Sequence, residues 1–374
     1  MRVAIVHYWL VGMRGGERVL EQLCLLFPQA DIYTHVCIPE NLSPLLRRHR
    51  ITESFVARLP GARRHYQKYL AFMPRALEEF DLSGYDLVLS SESGPAKGVI
   101  TPPDVPHVCY VHSPMRYLWD QYHAYRDGLG RANRLAFSLL SSRLRVWDAV
   151  SANRVDHFVA NSNFVAQRVR RWWRREAEVV HPPVDLDAYR PAPAPGPEAP
   201  YLFLSELVPY KRADLAVEAC RRLGRPLRVV GQGPELERLK RQAGPGTEFL
   251  GRAPVAAMPG LYRDCRALLF PGVEDFGIVP LEAMASGRPV IAFGRGGALD
   301  TVRDGETGVL FPEQSAEGLA AAIERFEREV EPRLEPETLA AQAARFGPEA
   351  FRAAMWSAIR RAAPGLSLPE TPPA

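Results

Sequence analysis

The sequence predicts an α/β protein with two parallel-sheet domains that face a central cleft. Short apolar segments typical of buried strands alternate with segments of helical periodicity, and this alternation occurs twice along the chain. A proline-rich run, Arg190–Pro200, separates the two series, and 374 residues suit two domains better than a single core. Because ligands of open parallel sheets bind at the carboxyl ends of the strands, we expect the site at those edges.

The first series opens with an apolar strand, Arg2–His7, a glycine-bearing turn and a segment of helical spacing, Glu17–Leu26. A strand, a glycine loop and a helix are the usual opening of a nucleotide-binding domain. The first domain is further predicted to contain a long basic helix over residues 131–150 and the strands Asp31–Cys37, Asp86–Ser90, His107–His112, Asp156–Asn161 and Glu178–His181.

Two features of this domain point to a ligand. The glycines between Gly12 and Gly16 do not match the G-x-G-x-x-G dinucleotide pattern, but they allow the backbone to approach a diphosphate or a sugar closely. A plain tight turn is the alternative. His112 ends its predicted strand and therefore lies at the ligand-binding edge, although a histidine held there by a structural hydrogen bond is the alternative.

The second series opens with the strand Tyr201–Leu204 and the helix Ala213–Leu223. Lys211 precedes this helix, where an ammonium group can neutralise a diphosphate. The chain from Pro364 is proline-rich and predicted to be disordered. The remaining predicted elements are the strands Leu227–Gly231, Glu248–Gly251, Ala267–Phe270 and Arg288–Ala292 and the helices Ala316–Val330 and Phe346–Ala362. The segment Gly305–Phe311 carries glycines that allow close approach of the backbone.

The segment Leu268–Gly287 carries the strongest chemical signal. Pro280 suits the first turn of a helix and Gly287 suits its end. A strand, a loop and a helix N-terminus leave backbone N–H groups available to an anion. Glu274 in the loop and Glu282 in the helix supply two carboxylates that can accept hydrogen bonds from hydroxyl groups. A ligand that offers both phosphates and hydroxyls, a nucleotide-sugar, suits this combination.

Composition narrows the class of protein. No stretch of about 18 uninterrupted apolar residues is present, the N-terminal apolar run is too short for a signal peptide, and the five cysteines form no C-x-x-C pair. These features favour a cytoplasmic protein without disulfides or a zinc site. Residues 45–75 and 131–175 are rich in arginine, although the net charge is only +4. A basic, partly aromatic surface indicates contact with phosphates of a lipid, a lipid-diphosphate substrate or a nucleic acid.

Glu274 and Glu282 are separated by seven residues, and the surrounding FGIVPLEAMASGRPVIA resembles the E-x7-E region of glycosyltransferase family 4. This resemblance implies a retaining enzyme with the GT-B fold, in which two Rossmann-like domains face a cleft. It implies an N-terminal, acceptor-side domain over residues 1–184 and a nucleotide-sugar-binding domain over residues 185–345. A C-terminal helix at about 346–362 is expected to return to the first domain, followed by the disordered tail 364–374.

The resemblance also assigns roles to residues of this chain. His112, Glu274 and Lys211 are the expected catalytic residues, with His112 near the anomeric centre. An arginine is usual at the position of Glu206, so Arg212 or Arg14 is expected to supply the missing cation. Charge compensation by these cations and by helix N-termini implies that neither a metal nor a cofactor is required. The expected donor-binding residues are Gly15, Gly16, Lys211, Arg212, Gly231, Leu250, Glu274, Phe276, Gly277, Ile278, Val279 and Glu282.

Segments such as HSPMRYLWDQY and LVPYKRADLAVEA resemble bacterial exopolysaccharide and lipopolysaccharide mannosyltransferases. GDP-mannose is therefore the favoured donor, with UDP-glucose or another UDP-hexose as the alternative. The expected acceptor is a glycan or a polyprenyl-diphosphate-linked oligosaccharide, reached at the inner face of the plasma membrane. A nucleotide-sugar epimerase is a further alternative. A non-catalytic nucleic-acid-binding protein is the alternative of another class; it predicts salt-sensitive binding and leaves the paired domains unexplained.

Overall fold

The computed structural model describes residues 1–373, which form two compact units. Unit 1 comprises residues 1–183 and the C-terminal residues from 349, and unit 2 comprises residues 184–348. Each unit has its own parallel sheet with helices packed on it. The two sheets and the Rossmann-like architecture agree with the fold class predicted from the alternation of strands and helices.

Unit 1 contains a seven-stranded parallel sheet in the order β3-β2-β1-β4-β5-β6-β7. Its strands are nearly continuous apolar runs because helices cover both faces of a parallel sheet. Four strands end earlier than predicted: the second at Thr34, the fifth at Val111, the sixth at Ala160 and the seventh at Val179. His112 therefore follows its strand. The strands are β1 Val3–His7, β2 Asp31–Thr34, β3 Ile51–Glu53, β4 Leu87–Glu92, β5 His107–Val111, β6 His157–Ala160 and β7 Glu178–Val179.

Helix bounds in unit 1 follow local capping chemistry. The first helix begins at Gly15 because the Glu17 carboxylate accepts a hydrogen bond from the Arg14 backbone N–H at 2.9 Å. The sixth helix is capped by the Ser162 hydroxyl, which accepts a hydrogen bond from the Val165 backbone N–H at 3.1 Å. The helices are α1 Gly15–Leu26, α2 Ala62–His65, α3 Met73–Glu78, α4 Tyr122–Asp127, α5 Arg131–Ser151 and α6 Asn163–Trp173.

Unit 2 contains a six-stranded parallel sheet in the order β10-β9-β8-β11-β12-β13. The strands are β8 Tyr201–Leu204, β9 Leu227–Val230, β10 Thr247–Gly251, β11 Leu268–Phe270, β12 Val290–Phe293 and β13 Gly308–Phe311. The helices are α7 Ala213–Leu223, α8 Leu236–Gln242, α9 Met258–Arg263, α10 Val279–Ala285, α11 Ala298–Thr301, α12 Ala316–Arg325 and α13 Pro336–Ala344. The helix predicted to run to Val330 ends at Arg325, where one π-helical turn follows.

The C-terminal helix α14 (Pro348–Ala362) packs into the core of unit 1, where the Trp356 ring lies 5.6 Å from the Phe27 ring. The tail was expected to be disordered, but its described part, residues 364–373, packs on the same unit. Leu366 and Leu368 lie against the core, and Trp356 Nε1 donates a hydrogen bond to the Pro369 carbonyl at 2.9 Å. These two leucines explain the difference, since they give a proline-rich segment apolar surface to bury.

A buried ionic network lies inside unit 1. Lys97 is fully buried and forms ion pairs with Asp148 and Glu92, which are also fully buried. The indole N–H groups of Trp119 and Trp173 both donate to Asp148 Oδ2 at 2.8 Å. Burial raises the pKa of Glu92 to about 7, although the Lys97 ammonium opposes the shift. Such a network is costly to break, because removal of one partner leaves an uncompensated buried charge.

The arginine-rich segments are partly internal. Arg168 pairs with Asp120, and Arg154 pairs with Glu78 at 2.7 Å. The arginine excess of the sequence therefore overstates the charge of the surface. Among residues 1–373, no helix combines the length and the apolar character that crossing a membrane requires.

Candidate functional site

Both sheets place the predicted site residues at a reversal of strand order. In unit 1 the order runs outward in both directions from the neighbours β1 and β4, and in unit 2 it does so from β8 and β11. At such a switch point, consecutive connections leave on opposite faces of the sheet and open a crevice at the carboxyl ends of the strands. The loops after β8 and β11 carry Lys211 and Glu274, and the loop after β1 leads to α1, which begins with Gly15 and Gly16.

In unit 2, Lys211 and Glu274 form an ion pair, and their side chains are 17% and 20% exposed. Lys211 ends a short 3-10 turn after β8, and Glu274 lies in the loop after β11. The backbones of the two loops approach each other at Gly272, where an added Cβ would lie 3.0 Å from Lys211 Cα. The structure therefore brings together two of the three residues expected to be catalytic and leaves the pair accessible to a ligand.

Glu282 lies in the first turn of α10, with Pro280 beside it at the position predicted. Its carboxylate accepts a hydrogen bond from the Tyr262 hydroxyl at 2.6 Å and a second one from Tyr189. Burial raises the pKa of Glu282, and the two tyrosine hydroxyls oppose this shift. The carboxylate is thus held in one orientation on the helix, as a rigid acceptor for further hydroxyl groups. The sequence did not indicate Tyr262 or Tyr189, because neither lies near Glu282 along the chain.

The expected donor-binding residues near Glu274 and Glu282 differ in whether their side chain or only their backbone can face a ligand. The Phe276 side chain is 4% exposed and packs in the core, with its ring 5.8 Å from that of Phe346. The apolar ring is buried by the hydrophobic effect, so only the backbone at Phe276 can face a ligand. The next three predicted residues, Gly277, Ile278 and Val279, form the entry to α10, where Gly277 has a φ of +90° that favours glycine.

At Gly231, just after β9, and at Leu250, in β10, the backbone is again a part that can face a ligand. An added Cβ at Gly231, whose φ is +146°, would collide with the Ser205 carbonyl, so the residue permits a close approach of two loops. Leu250 is skipped where the pairing of β10 with β9 shifts register between Phe249 and Gly251. A bulge residue is left out of the ladder, which keeps its backbone groups available.

Arg212, one of the two residues expected to supply the cation that is missing at Glu206, is held by Asp214. Arg212 donates from Nε to Asp214 Oδ1 at 3.1 Å and forms an ion pair through Nη2 at 3.0 Å. This guanidinium therefore already carries a carboxylate partner, while Glu206 is exposed. Lys211 is left as the predicted cation that lies directly beside an expected sugar-binding carboxylate.

In unit 1, Gly15 and Gly16 form the first turn of α1, where backbone N–H groups have no intrahelical partner. Gly16 is required by packing, because an added Cβ would overlap the hydroxyl of Tyr8. Tyr8 is buried, and burial raises the pKa of its hydroxyl well above the usual range. The tight-turn and ligand-approach interpretations of these glycines are therefore compatible.

His112 follows β5 and is joined to β4. Its backbone N–H donates to the Glu92 carbonyl at 2.8 Å, and its Nε2 lies 2.8 Å from Ser91 Oγ. Ser91 Oγ also lies 3.1 Å from Nδ1 of the fully buried His7. Burial, with a smaller contribution from His7, lowers the pKa of His112 to about 3, so the ring is neutral at physiological pH. His7, Ser91 and Glu17 were not indicated as site residues by the sequence.

An apolar cavity of about 480 Å³ opens at the same edge of the unit 1 sheet. It includes Trp9, which follows β1, and Ser93, which follows β4. Tyr117 and Tyr125, from the aromatic-rich segment that follows β5, also line it. The lining is completed by Gln67, Leu70, Met73, Leu129 and Phe137.

Comparisons with curated proteins give relatives that match part of this chain. Among curated proteins, the GDP-mannose-dependent alpha-(1-6)-phosphatidylinositol monomannoside mannosyltransferase of Mycobacterium tuberculosis is 34% identical over 174 residues, which cover 39% of this chain and 45% of the relative. The D-inositol 3-phosphate glycosyltransferase of Nocardia farcinica is 33% identical over 186 residues, 41% of either chain. The aligned stretch thus spans less than half the length of each of these relatives.

Solved structures establish the same fold over nearly the whole chain. Sucrose-phosphate synthase from Thermosynechococcus elongatus superposes with a TM-score of 0.71 at 19% identity, over 98% of this chain and 100% of that one. The Anabaena protein HepE, solved in complex with UDP, gives a TM-score of 0.67 at 16% identity, over 96% of this chain and 100% of that one.

Two family profiles follow each other along the chain. The profile described as Glycosyltransferase Family 4 matches residues 13–188, and the profile described as Glycosyl transferases group 1 matches residues 189–343. Together with the two parallel-sheet units, these matches show that the chain belongs to glycosyltransferase family 4 and has the GT-B type of fold.

Proposed function

We propose that this protein is a retaining glycosyltransferase that moves a hexose from a nucleotide-sugar to a glycan or lipid-linked acceptor in cell-surface polysaccharide synthesis. The observation that carries the proposal is the Lys211–Glu274 ion pair at the β8–β11 switch point. It combines a cation for a diphosphate with a carboxylate for hydroxyl groups, on loops whose contact is fixed by backbone packing at Gly272.

The ion pair suggests how the donor is accepted. Without a ligand, the Lys211 ammonium is neutralised by Glu274, so its positive charge is not left uncompensated. When the donor binds, its phosphate oxygens replace Glu274 as the partner of the Lys211 ammonium. The Glu274 carboxylate can then accept hydrogen bonds from the hydroxyls of the hexose. Glu282, fixed by Tyr262 and Tyr189, accepts from the ribose hydroxyls.

Catalysis in this proposal depends on positioning and on stabilisation of the leaving diphosphate. Lys211 stabilises the negative charge that develops as the glycosidic bond breaks. The leaving phosphate itself accepts the proton of the acceptor hydroxyl on the same face of the sugar, which gives retention. Neutral His112 contributes a polar contact to the sugar.

Mannose from GDP-mannose is the donor we favour, with a UDP-hexose as the competing donor. The support is the curated relative from M. tuberculosis, whose name specifies GDP-mannose and whose matched stretch covers 39% of this chain. Calorimetric titration with GDP, UDP and ADP and with their hexose conjugates separates the donors. Tightest binding of GDP-mannose supports the proposal, and tighter binding of UDP-glucose contradicts this part of it.

An acceptor with an apolar portion fits the cavity of unit 1, whose lining is largely aromatic and aliphatic. Contact with an anionic membrane is part of the same proposal. Helix α5 exposes Leu135, Leu139 and Val146, each more than 60% accessible, and arginines lie on the same helix. Co-sedimentation with phosphatidylglycerol vesicles tests this contact, with phosphatidylcholine vesicles as the control.

Transfer is proposed to proceed without a metal ion or other cofactor. One Asp-x-Asp pattern is present, at Asp185 and Asp187, but Asp185 Oδ1 accepts a hydrogen bond from the Asp187 backbone N–H at 3.1 Å. This local turn gives the pair a structural role, and the cation in the proposed donor site is Lys211.

The decisive experiment incubates the protein with radiolabelled GDP-mannose, in the presence and absence of a polyprenyl-diphosphate-linked oligosaccharide. Labelled acceptor in the wild type, together with its loss in Glu274→Gln, supports the proposal. An epimerised sugar would indicate the epimerase. Binding of nucleic acid that weakens steeply with salt, without turnover, would indicate the nucleic-acid-binding alternative.

A further inference from the structure

Four side chains of unit 1 form a line from the start of α1 to the carboxyl edge of the sheet. Glu17 Oε1 lies 3.7 Å from His7 Nε2, His7 Nδ1 lies 3.1 Å from Ser91 Oγ, and Ser91 Oγ lies 2.8 Å from His112 Nε2. His7 and Ser91 are completely buried, and Glu17 is 2% exposed. Among residues 1–373, the His112 ring is hydrogen-bonded to Ser91 through Nε2, and its Nδ1 forms no hydrogen bond.

Backbone pairing fixes this line. His7 and Ser91 are register partners on the neighbouring strands β1 and β4, and the bond from His112 N to the Glu92 carbonyl holds β5 against β4. Glu17 is held from the other side, because its Oε2 accepts the Arg14 backbone N–H at 2.9 Å. The positions of the four polar groups therefore depend on the fold and not on a bound ligand.

With both imidazoles neutral, a count of protons leaves two arrangements with matched donors and acceptors. Ser91 has a single hydroxyl proton and faces two imidazole nitrogens, so it donates to one and accepts from the other. The Glu17 carboxylate is the charged end of the line. Burial alone would raise its pKa, but the nearby His7 ring and backbone N–H groups lower it below its usual value, so the carboxylate is ionised.

The carboxylate selects the proton position on His7. A separation of 3.7 Å exceeds a hydrogen bond, and His7 Nε2 is a buried atom without a hydrogen-bond partner among residues 1–373. In this buried site, the field of the carboxylate still favours an N–H over a lone pair at that nitrogen. His7 then carries its proton on Nε2, and Ser91 donates to His7 Nδ1. The Ser91 oxygen accepts from His112, which must carry its proton on Nε2.

We propose that Glu17, His7 and Ser91 are positioning residues that fix His112 as the Nε2–H tautomer, so that its Nδ1 presents a lone pair to the ligand. The partner of that lone pair must donate a hydrogen bond, as a sugar hydroxyl does. A phosphate oxygen, which is an acceptor, is excluded at this nitrogen. That the hydroxyl belongs to a hexose or its acceptor rests on the proposed function; the tautomer does not.

Glu17→Gln tests the chain of proton positions without changing its shape. The Arg14 N–H requires an acceptor, so the amide oxygen of glutamine takes this contact and its NH₂ group faces His7. His7 then presents a lone pair at Nε2, donates from Nδ1 to Ser91, and Ser91 donates to His112 Nε2. The expected result is a switch of His112 to the Nδ1–H tautomer.

The measurement is a long-range ¹H–¹⁵N correlation spectrum of the full chain labelled with ¹⁵N-histidine, with the His112 signals assigned by their loss in His112→Asn. Wild type is expected to show His112 with Nε2 protonated and Nδ1 bare, and Glu17→Gln the reverse. Glu21→Gln on the same helix is the matched control, since Glu21 pairs with Arg18 at 2.9 Å outside this line. The control is expected to keep the wild-type tautomer.

Protonation of Nδ1 in wild type, or an unchanged tautomer in folded Glu17→Gln, would overturn the proposal. If Glu17→Gln does not fold, Ser91→Ala replaces it, and a mixture of His112 tautomers is the supporting outcome. A wild-type spectrum with Nε2–H, together with a switch in the variant, supports the tautomer proposal even if no sugar transfer is found. Failure of this inference and failure of the proposed function are therefore distinguishable. Where transfer is measurable, the switched variant is expected to lose kcat while its affinity for the donor changes little.

Discussion

Replacement of Lys211 by methionine tests the proposed diphosphate contact. Methionine keeps most of the length of the side chain and removes its charge, so the loop after β8 retains its packing. A hydrogen bond from an ammonium to an ionised oxygen contributes about 1.5–3 kcal/mol. Its loss corresponds to a rise in the Kd for GDP of about 10- to 150-fold.

The ion pair of Lys211 with Glu274 narrows the expected rise in the Kd for GDP. In Lys211→Met, the Glu274 carboxylate is left without its ammonium and repels the incoming phosphates, which places the expected effect toward the upper end of that range. In Glu274→Gln, by contrast, the ammonium has no competing carboxylate, so GDP is expected to bind as tightly as to the wild type or tighter. Because the sugar contact is lost, the same variant is expected to bind GDP-mannose with little advantage over GDP.

Isothermal titration calorimetry with GDP and GDP-mannose measures all of these affinities. Lys240→Met is the matched control, since Lys240 is an exposed lysine that pairs with Glu237 at 3.1 Å on α8. Wild-type affinity for GDP in Lys211→Met would refute the assignment of Lys211 to the diphosphate. An equal loss of GDP affinity in Glu274→Gln would refute the division of roles between the two residues.

Three further predictions concern the buried ionic network around Lys97 and the proposal that transfer needs no metal ion. Lys97→Met should lower the free energy of unfolding by about 3–5 kcal/mol in urea titrations, because Asp148 and Glu92 lose their counter-ion; the exposed Lys240→Met should change it by less than about 0.5 kcal/mol, and equal values would contradict the burial argument. The raised folded-state pKa of Glu92, about 7 against an unfolded value near 4.5, means that the folded state binds the extra proton, so this group makes stability fall as pH rises between those values; Glu92→Gln should remove that slope, and an unchanged slope would show that another group causes it. EDTA should leave the rate of sugar transfer unchanged, and a loss that Mg²⁺ or Mn²⁺ restores would instead point to metal binding, with Asp185 as the first residue to replace.

Local sequence patterns sufficed for the fold because buried parallel strands are short apolar runs and helices have their own periodicity. The helix Ala213–Leu223 has the predicted bounds, since the loop before it and Gly224 after it mark its ends. The predicted helix Ala316–Val330 is less regular. Its residues have helical spacing throughout, but a π turn follows Arg325. Periodicity does not report such a change in hydrogen bonding.

Contacts within the candidate site depend on strand order, which no local pattern contains. Lys211 and Glu274 are 63 positions apart and meet because β8 and β11 are neighbours in the sheet. The resemblance to a known family indicated both residues, but the ion pair between them required the structure. In the same way, the contact between His7 and Ser91 follows from the register of β1 and β4, and neither residue carries a motif.

The most direct test of the central claim is transfer itself. Full-length protein is incubated with GDP-[¹⁴C]mannose and a polyprenyl-diphosphate-linked oligosaccharide, and the product is analysed for the label and for its anomeric configuration. The account predicts a labelled α-mannoside, formed with retention by the wild type and lost in Glu274→Gln. A β-linked product, or label transferred equally by Glu274→Gln, would contradict it.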